Sequence, residues 1–116
     1  MSKRGELAPR PPSAGQWKLK LANNQAATGW DDLCRQAPGP LAIAWDHLAD
    51  DPRQVHNPDR QGRLKGSLAH TTVGGTEYDQ WQYEVTGGGR IWYVIDDDSR
   101  TVHITLASTG HPKQTD

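Results

Sequence analysis

The chain has 116 residues, the length of one small domain, which excludes a second enzyme-sized domain. Its 13 lysines and arginines nearly balance 14 aspartates and glutamates, so the formal net charge of -1 does not by itself indicate a nucleic-acid-binding protein. The single cysteine, Cys34, excludes a disulfide framework within the chain, and we expect it to pack as a small hydrophobe. No segment approaches the roughly 18 to 20 apolar residues of a membrane helix, so we expect a cytoplasmic protein without a membrane partner.

The N-terminal half predicts a tail, a strand and two helices. Residues 1–15 are rich in proline and have no apolar period, which predicts a disordered tail before a single domain over residues 16–116. In residues 17–21 large apolar side chains alternate with lysines, as in a strand with one buried face. A capping pattern at Thr28 indicates the first helix, and a Pro-Gly-Pro sequence at residues 38–40 separates it from a second helix that ends at Asp51.

The C-terminal half predicts a three-stranded antiparallel meander. Residues 53–76 are interpreted as a basic loop, in which residues 63–66 are the one short ordered candidate. Apolar and polar residues then alternate in three segments, and the glycines at residues 87–89 indicate a hairpin turn between the first two.

The predicted register divides this sheet into two faces. We pair Thr86 with Arg90 across the glycine turn and Ile91 with Leu106 across the next turn. The face that packs on the helices would then carry Trp81, Tyr83, Val85, Ile91, Tyr93, Ile95, Val102, Ile104 and Leu106. The opposite face would carry Gln82, Glu84, Thr86, Arg90, Trp92, His103 and Thr105. A solvated sheet face is polar in any case, but an acid, a cation, an imidazole and an exposed tryptophan make this face our candidate for function.

The charges are unevenly distributed along the chain. Between Pro52 and Gly66 four basic residues stand against one acidic residue, a local excess of +3, whereas three aspartates follow one another at residues 96–98. Such an asymmetry is a better guide to a polyanion-binding site than the total charge. We predict no metal or cofactor, because the histidine spacing does not build a metal site and the glycine turn lacks the helix that follows a phosphate-binding loop.

The element order and three short motifs resemble the RelE/ParE family of bacterial toxins, and most of all its actinobacterial members. The motifs are Arg-Leu-Lys-Gly at residues 63–66, the glycine turn with Arg-Ile-Trp-Tyr-Val-Ile-Asp at residues 87–96, and Gly-His-Pro-Lys at residues 110–113. The resemblance covers residues 16–113. It implies an α+β, RelE-like fold, in which a helical hairpin packs on one sheet made of the first strand and the antiparallel meander.

The resemblance also implies the toxin component of a type II toxin–antitoxin system. RelE-like members are ribosome-dependent endoribonucleases that cleave mRNA without a metal and so inhibit translation. The implied partners are therefore a cognate antitoxin, the ribosome and mRNA. The residues that match the family's catalytic positions are Lys65, Arg90 and His111. The candidates for RNA binding are Arg63, Trp92 and Lys113, together with His103 and Glu84 of the polar face, which are also alternative catalytic groups.

The matched residue types suit the chemistry of metal-free RNA cleavage. The 2'-hydroxyl must lose a proton, the phosphate must be stabilised as it gains negative charge, and the leaving 5'-oxygen must gain a proton. The planar fork of Arg90 suits the phosphate, Lys65 would act as a second cation or as the base, and His111 would act as the acid. Arg63 and Lys113 would contact phosphates, and Trp92 would stack on a base.

Two other functions stay open at this point. ParE-like members of the family poison DNA gyrase, and such a toxin would need neither Arg90 nor His111. A degenerate member would only bind a partner, an interpretation favoured by the lack of a tyrosine after Tyr93, since cleaving members often end in one. Arg90 also has an ordinary structural interpretation, as a cap of the glycine turn or an ion-pair partner of Glu84.

Overall fold

The computed structural model describes residues 15–110, which form an α+β domain as predicted. The predicted tail (apart from Gly15), His111 and Lys113 lie outside the described residues. In chain order the elements are β1 (Lys18–Leu21), α1 (Asn24–Gln36), α2 (Pro38–Asp50), β2 (Gln61–Arg63), a short 3-10 helix (Gly66–Leu68), β3 (His70–Val73), β4 (Thr76–Asp79), β5 (Trp81–Glu84), β6 (Arg90–Asp96) and β7 (Thr101–Ser108). Within the described residues, neither helix is long and apolar enough to cross a membrane.

The helical hairpin forms where the sequence predicts it, but α1 starts earlier. The side chain of Asn23 accepts a hydrogen bond of 2.8 Å from the backbone N–H of Ala26, which caps the helix. The predicted cap at Thr28 is therefore wrong, because Thr28 lies inside the first turns of α1. Helix α2 begins with Pro38 in its first turn, where a missing N–H costs no hydrogen bond, and it ends at Asp50 as the following Asp-Pro sequence predicts.

The main sheet has five strands in the order β1-β7-β6-β5-β2. Strand β1 runs parallel to β7, and the other neighbours are antiparallel, so the sheet is mixed. Strand β2 comes from the segment predicted to be a loop, and it pairs with β5 with Gly62 opposite Gln82. A strand of three residues with a central glycine has too little alternation to be recognised from its pattern.

A second, two-stranded sheet also comes from the predicted loop. Strands β3 and β4 form an antiparallel hairpin whose turn contains Gly74 and Gly75. Both glycines have a positive φ, 58° and 85°, which other residues adopt at a cost. The hairpin packs against β6 of the main sheet, and this contact changes which part of that sheet is open to solvent.

The register between β5 and β6 differs from the prediction by two residues. Arg90 lies opposite Glu84, and Trp92 lies opposite Gln82. The turn is longer than three glycines, because the backbone N–H of Val85 donates to Gly89 at 2.8 Å and the Thr86 hydroxyl accepts from the N–H of Gly89 at 2.7 Å. A shift of two residues leaves every side chain on its predicted face.

Strands β6 and β7 pair as predicted as far as Tyr93, which lies opposite Ile104. A β-bulge then shifts the register by one residue, so that Ala107 and not Leu106 lies opposite Ile91. The predicted core position of Leu106 is therefore wrong. Leu106 lies opposite Trp92, and Ala107 is fully buried in its place.

The core lies between the two helices and one face of the main sheet. Its buried members are Trp17, Ala26, Leu33, Leu41, Ala44, Leu48, Val85, Ile91, Tyr93, Ile95, Val102, Ile104 and Ala107. Apart from Leu106, the face predicted to be apolar supplies the sheet side of this core, with Trp81 and Tyr83 partly buried against it. Cys34 is exposed and so does not pack as a small hydrophobe, whereas its neighbour Leu33 points into the core.

Candidate nucleic-acid interface

The candidate interface lies on the face of the main sheet that points away from the helices. Directly opposed strand residues share a face, so Glu84–Arg90 and Gln82–Trp92 are two adjacent cross-strand pairs on this face. We call these four residues the outer row. The alternation of β5 and β6 therefore brings together three residues that the sequence singled out: Glu84, Arg90 and Trp92.

Arg90 has the least satisfied side chain in this row. Its Nε atom is buried and has no hydrogen-bond partner in the part of the chain that the structure describes. The arginines that form ion pairs within residues 15–110 are others, namely Arg35, Arg53 and Arg63. Leaving a buried donor unpaired costs about 1 to 3 kcal/mol, and more when the group is charged. An arginine whose Nε has no partner within the described residues is therefore a candidate anion-binding group.

Trp92 forms part of the wall of a cleft of about 500 Å³ between the main sheet and the β3–β4 hairpin. Its indole Nε1 donates a hydrogen bond of 2.9 Å to the side-chain oxygen of Gln82, which orients the ring. Leu106, turned outward by the β-bulge, lines the same cleft. The ring is half-buried rather than fully exposed, and the cleft gives it an apolar neighbour on which a planar ligand can rest.

The other end of this face is covered by the hairpin. Val94 is fully buried although it does not belong to the core under the helices, and Tyr78 of β4 places its ring centroid 6.5 Å from that of His103. His103 Nε2 lies 3.6 Å from a carboxylate oxygen of Asp96. Hydrogen bonds to Ser99, and then the contact with His103, hold the pKa of Asp96 below its usual value. His103 is thus a half-buried partner of Asp96 and not part of an open polar surface.

Lys65 and Arg63 lie at the opposite end of β5 from Arg90. Lys65 is exposed and precedes the 3-10 helix, next to Leu64, whose N–H donates to the carbonyl of Gln80 at 2.8 Å. The length of β5, roughly 13 Å at the rise of a strand, separates this end from the Glu84–Arg90 pair. Lys65 and Arg90 therefore do not form one cluster of cations on this face.

Two basic residues of the segment before Gly66 are already paired with acids. Arg63 contacts Asp79 at 3.0 Å, and the same carboxylate lies 3.1 Å from His70. Arg53 donates two hydrogen bonds of 2.8 Å to Asp97, and this contact holds the pKa of the Asp97 carboxyl below its usual value. The basic segment and the acidic turn, which lie far apart along the chain, are thus joined in the fold through Arg53 and Asp97.

A second concave surface escaped the sequence analysis. His47 on α2, His56 before β2 and Tyr83 on β5 meet beside a cavity of about 240 Å³. Their sequence positions show no motif spacing, since three separate elements bring them together. A metal site is not formed there, because within residues 15–110 no three side chains of His, Cys, Asp or Glu are gathered to hold an ion.

Comparison with known proteins gives no family assignment for the chain. No protein-family model matches the sequence, and no curated protein matches it either.

Proposed function

We propose that the protein is a RelE-like toxin of a type II toxin–antitoxin system that cleaves ribosome-bound mRNA. The motifs around Lys65, Arg90 and His111 suggest this function, and the described α+β domain is compatible with the fold that the resemblance implies. The single observation that carries the proposal is the buried Nε of Arg90, which has no partner within the described residues and belongs to the same face as Trp92. An arginine on the same sheet face as a tryptophan is suited to bind a phosphate while the ring stacks on a neighbouring base.

In the proposed reaction the 2'-hydroxyl oxygen attacks the adjacent phosphorus atom while the bond to the 5'-oxygen breaks. The products are a 2',3'-cyclic phosphate and a 5'-hydroxyl, so this step consumes no water molecule. The Arg90 guanidinium donates hydrogen bonds to the phosphate oxygens as they gain charge. Glu84, directly opposite Arg90 in the sheet, takes the 2'-proton, Lys65 contacts a phosphate further along the chain, and His111 gives the 5'-oxygen its proton. Trp92 holds a base in the cleft beside Leu106.

A translation assay with the purified chain, free of any antitoxin, tests this proposal. We expect the protein to inhibit cell-free protein synthesis and to cut mRNA on the ribosome. Replacement R90A should lower the cleavage rate about 100-fold or more, as loss of a group that stabilises transition-state charge typically does. The matched control is R35A, which removes an exposed arginine of α1 paired with Asp32, and it should leave cleavage unchanged.

The outcomes separate the three functions that the sequence leaves open. Absence of both translation inhibition and mRNA cleavage would refute the proposal. Toxicity that persists in R90A and is accompanied by DNA damage would show a ParE-like gyrase inhibitor. A chain that is harmless when expressed alone would show a degenerate member that only binds a partner.

A further inference from the structure

A cavity of about 240 Å³ lies between α2, the segment before β2 and the end of β5. The residues that line it are Pro40, Ile43, His47, His56, Asn57, Arg60, Gln61, Tyr83, Glu84 and Val85. We call it the histidine pocket. Its volume admits one planar ring system, whereas an α-helix with its side chains, about 10 to 12 Å across, does not fit inside.

One wall of the histidine pocket is a stack of two imidazoles. The rings of His47 and His56 are nearly parallel, at 12°, with centroids 3.6 Å apart. The Tyr83 hydroxyl forms a hydrogen bond of 2.7 Å with Nδ1 of His47 and so holds that ring in place. Burial, and then the neighbouring His56, lowers the pKa of His47, which favours the uncharged form of that ring. A fixed imidazole stack is a surface on which a further flat ring can stack.

The rest of the pocket is apolar with charges at its edge. Pro40, Ile43 and Val85 line it, and Ile43 is 56% exposed. Arg60 adds one cation. Such a combination of apolar walls and a few polar groups is typical of small-molecule and nucleotide sites.

The histidine pocket lies on the helix side of the main sheet, at the same end of β5 as the Glu84–Arg90 pair of the outer row. Glu84 is the strand position that the two surfaces share. Arg60 lines the pocket, and its carbonyl accepts a hydrogen bond of 2.8 Å from the N–H of Glu84. Arg60 forms no ion pair within residues 15–110, so its guanidinium is available to an anion at this end of β5.

We propose that the histidine pocket binds one base of a single-stranded RNA, stacked on the imidazoles, while Arg60 contacts the attached phosphate. The proposal rests on the proposed function in that RNA is taken as the ligand, and it adds a second nucleotide site at the same end of β5 as Arg90 but on the helix side of the sheet. The parallel imidazoles and the cation Arg60 favour a nucleotide over an apolar protein side chain, which needs neither a flat wall nor a phosphate contact.

Titration of the imidazole NMR signals with adenosine 5'-monophosphate tests this site in the full chain. Stacking of the base should move the signals of His47 and His56 upfield, whereas those of His70 and His103 should not move. Ribose 5-phosphate, which has the phosphate but no base, should not cause the upfield shift. Because loss of one stacking ring costs about 1 to 3 kcal/mol, H56A should weaken binding about tenfold.

Two further variants separate the phosphate contact from a general effect of charge. R60Q should weaken binding of adenosine 5'-monophosphate about tenfold, since a hydrogen bond to a charged group is lost. R35Q removes an exposed arginine on α1 and should leave the affinity unchanged. If R35Q weakens binding as much as R60Q does, the specific phosphate contact at Arg60 is wrong.

The remaining outcomes keep this proposal distinct from the proposed function. Unmoved His47 and His56 signals would overturn the nucleotide site even if mRNA cleavage depends on Arg90. Shifts with the nucleotide in a protein that cleaves no mRNA would support the site and refute the proposed function. If an acetylated peptide of glutamates around one leucine moves these signals and the nucleotide does not, the pocket receives a protein partner and the nucleotide proposal fails.

Discussion

Gly29 is the residue through which α1 rests on the sheet, and we expect G29A to destabilise the fold. A Cβ atom built on Gly29 would lie 2.6 Å from the carbonyl carbon of Ala107 in β7, and closer still to its oxygen. Ordinary contact between such atoms needs 3.4 to 4 Å. The obstacle is strand backbone, which cannot rotate away as a side chain can, so α1 would have to move off β7 by roughly 1.5 Å.

The expected magnitude is a balance of two opposing effects. Alanine is preferred over glycine inside a helix by about 1 kcal/mol, which on its own would stabilise α1. Overpacking in a well-packed interior costs about 1 to 3 kcal/mol, and a backbone obstacle places this site at the upper end. We therefore expect G29A to lose about 2 kcal/mol of unfolding free energy. For a domain of this size that corresponds to a fall in Tm of roughly 10 °C.

Chemical denaturation of the purified variants, followed by circular dichroism, measures this difference. The matched control is G39A, because Gly39 is also a helical glycine but has no atom within 4 Å of its Cβ position. Because Pro40 disfavours a helical residue with a Cβ directly before it, which offsets the preference for alanine over glycine, G39A should stay within about 1 kcal/mol of the wild type. A G29A variant at least as stable as G39A would refute the close packing of α1 on β7.

Three further predictions concern buried and charged groups. Y93F should lose about 1 to 3 kcal/mol of unfolding free energy in urea denaturation. The Tyr93 hydroxyl accepts a hydrogen bond from Gln61 and donates one to the carbonyl of Pro52, both at 3.0 Å, and both partners would stay buried and unpaired. Y78F should cost far less, and equal losses in the two variants would contradict this prediction. Burial raises the pKa of Tyr93, so the stability that its neutral hydroxyl contributes is fully present below about pH 10 and is lost as the pH rises further. An absorbance titration of the native protein that shows Tyr93 ionising at pH 10 would contradict this prediction. The pKa of His47 is lowered in the folded protein, so on acidification the unfolded chain binds a proton at His47 before the folded protein does. The unfolding free energy should therefore fall below about pH 6.5, and H47Q should flatten that part of the pH profile.

Local patterns were enough to predict the helices, the strand at residues 18–21 and the three strands from Trp81 onward. Their periods of 3.6 and 2 residues can be counted along the chain because each element has one buried face. The same reasoning missed β2, β3 and β4. These strands are short, β2 has a central glycine, and β3 and β4 are joined by two glycines. They are therefore stabilised more by pairing with other strands than by the strand propensity of their own residues.

Part of the candidate interface was also predictable. The alternation along β5 and β6 places Glu84, Arg90 and Trp92 on one face whether the register is the predicted one or the observed one, because the two differ by an even number of residues. The β-bulge near Thr105 was not predictable, because a one-residue insertion leaves no mark on the hydrophobic pattern of β7 until its partner is known.

The sequence by itself determined the class of fold, the apolar face of the sheet and the position of Arg90 beside Trp92, since these follow from local periodicity. Only the tertiary structure decided which parts of the opposite face are open, because the hairpin that covers His103 packs there from a distant segment. The tertiary structure also determines which arginines form ion pairs, since the acidic partners of Arg53 and Arg63 come from distant parts of the chain. The histidine pocket belongs to the same category, because stacking of His47 on His56 depends on how α2, the segment before β2 and β5 converge in space.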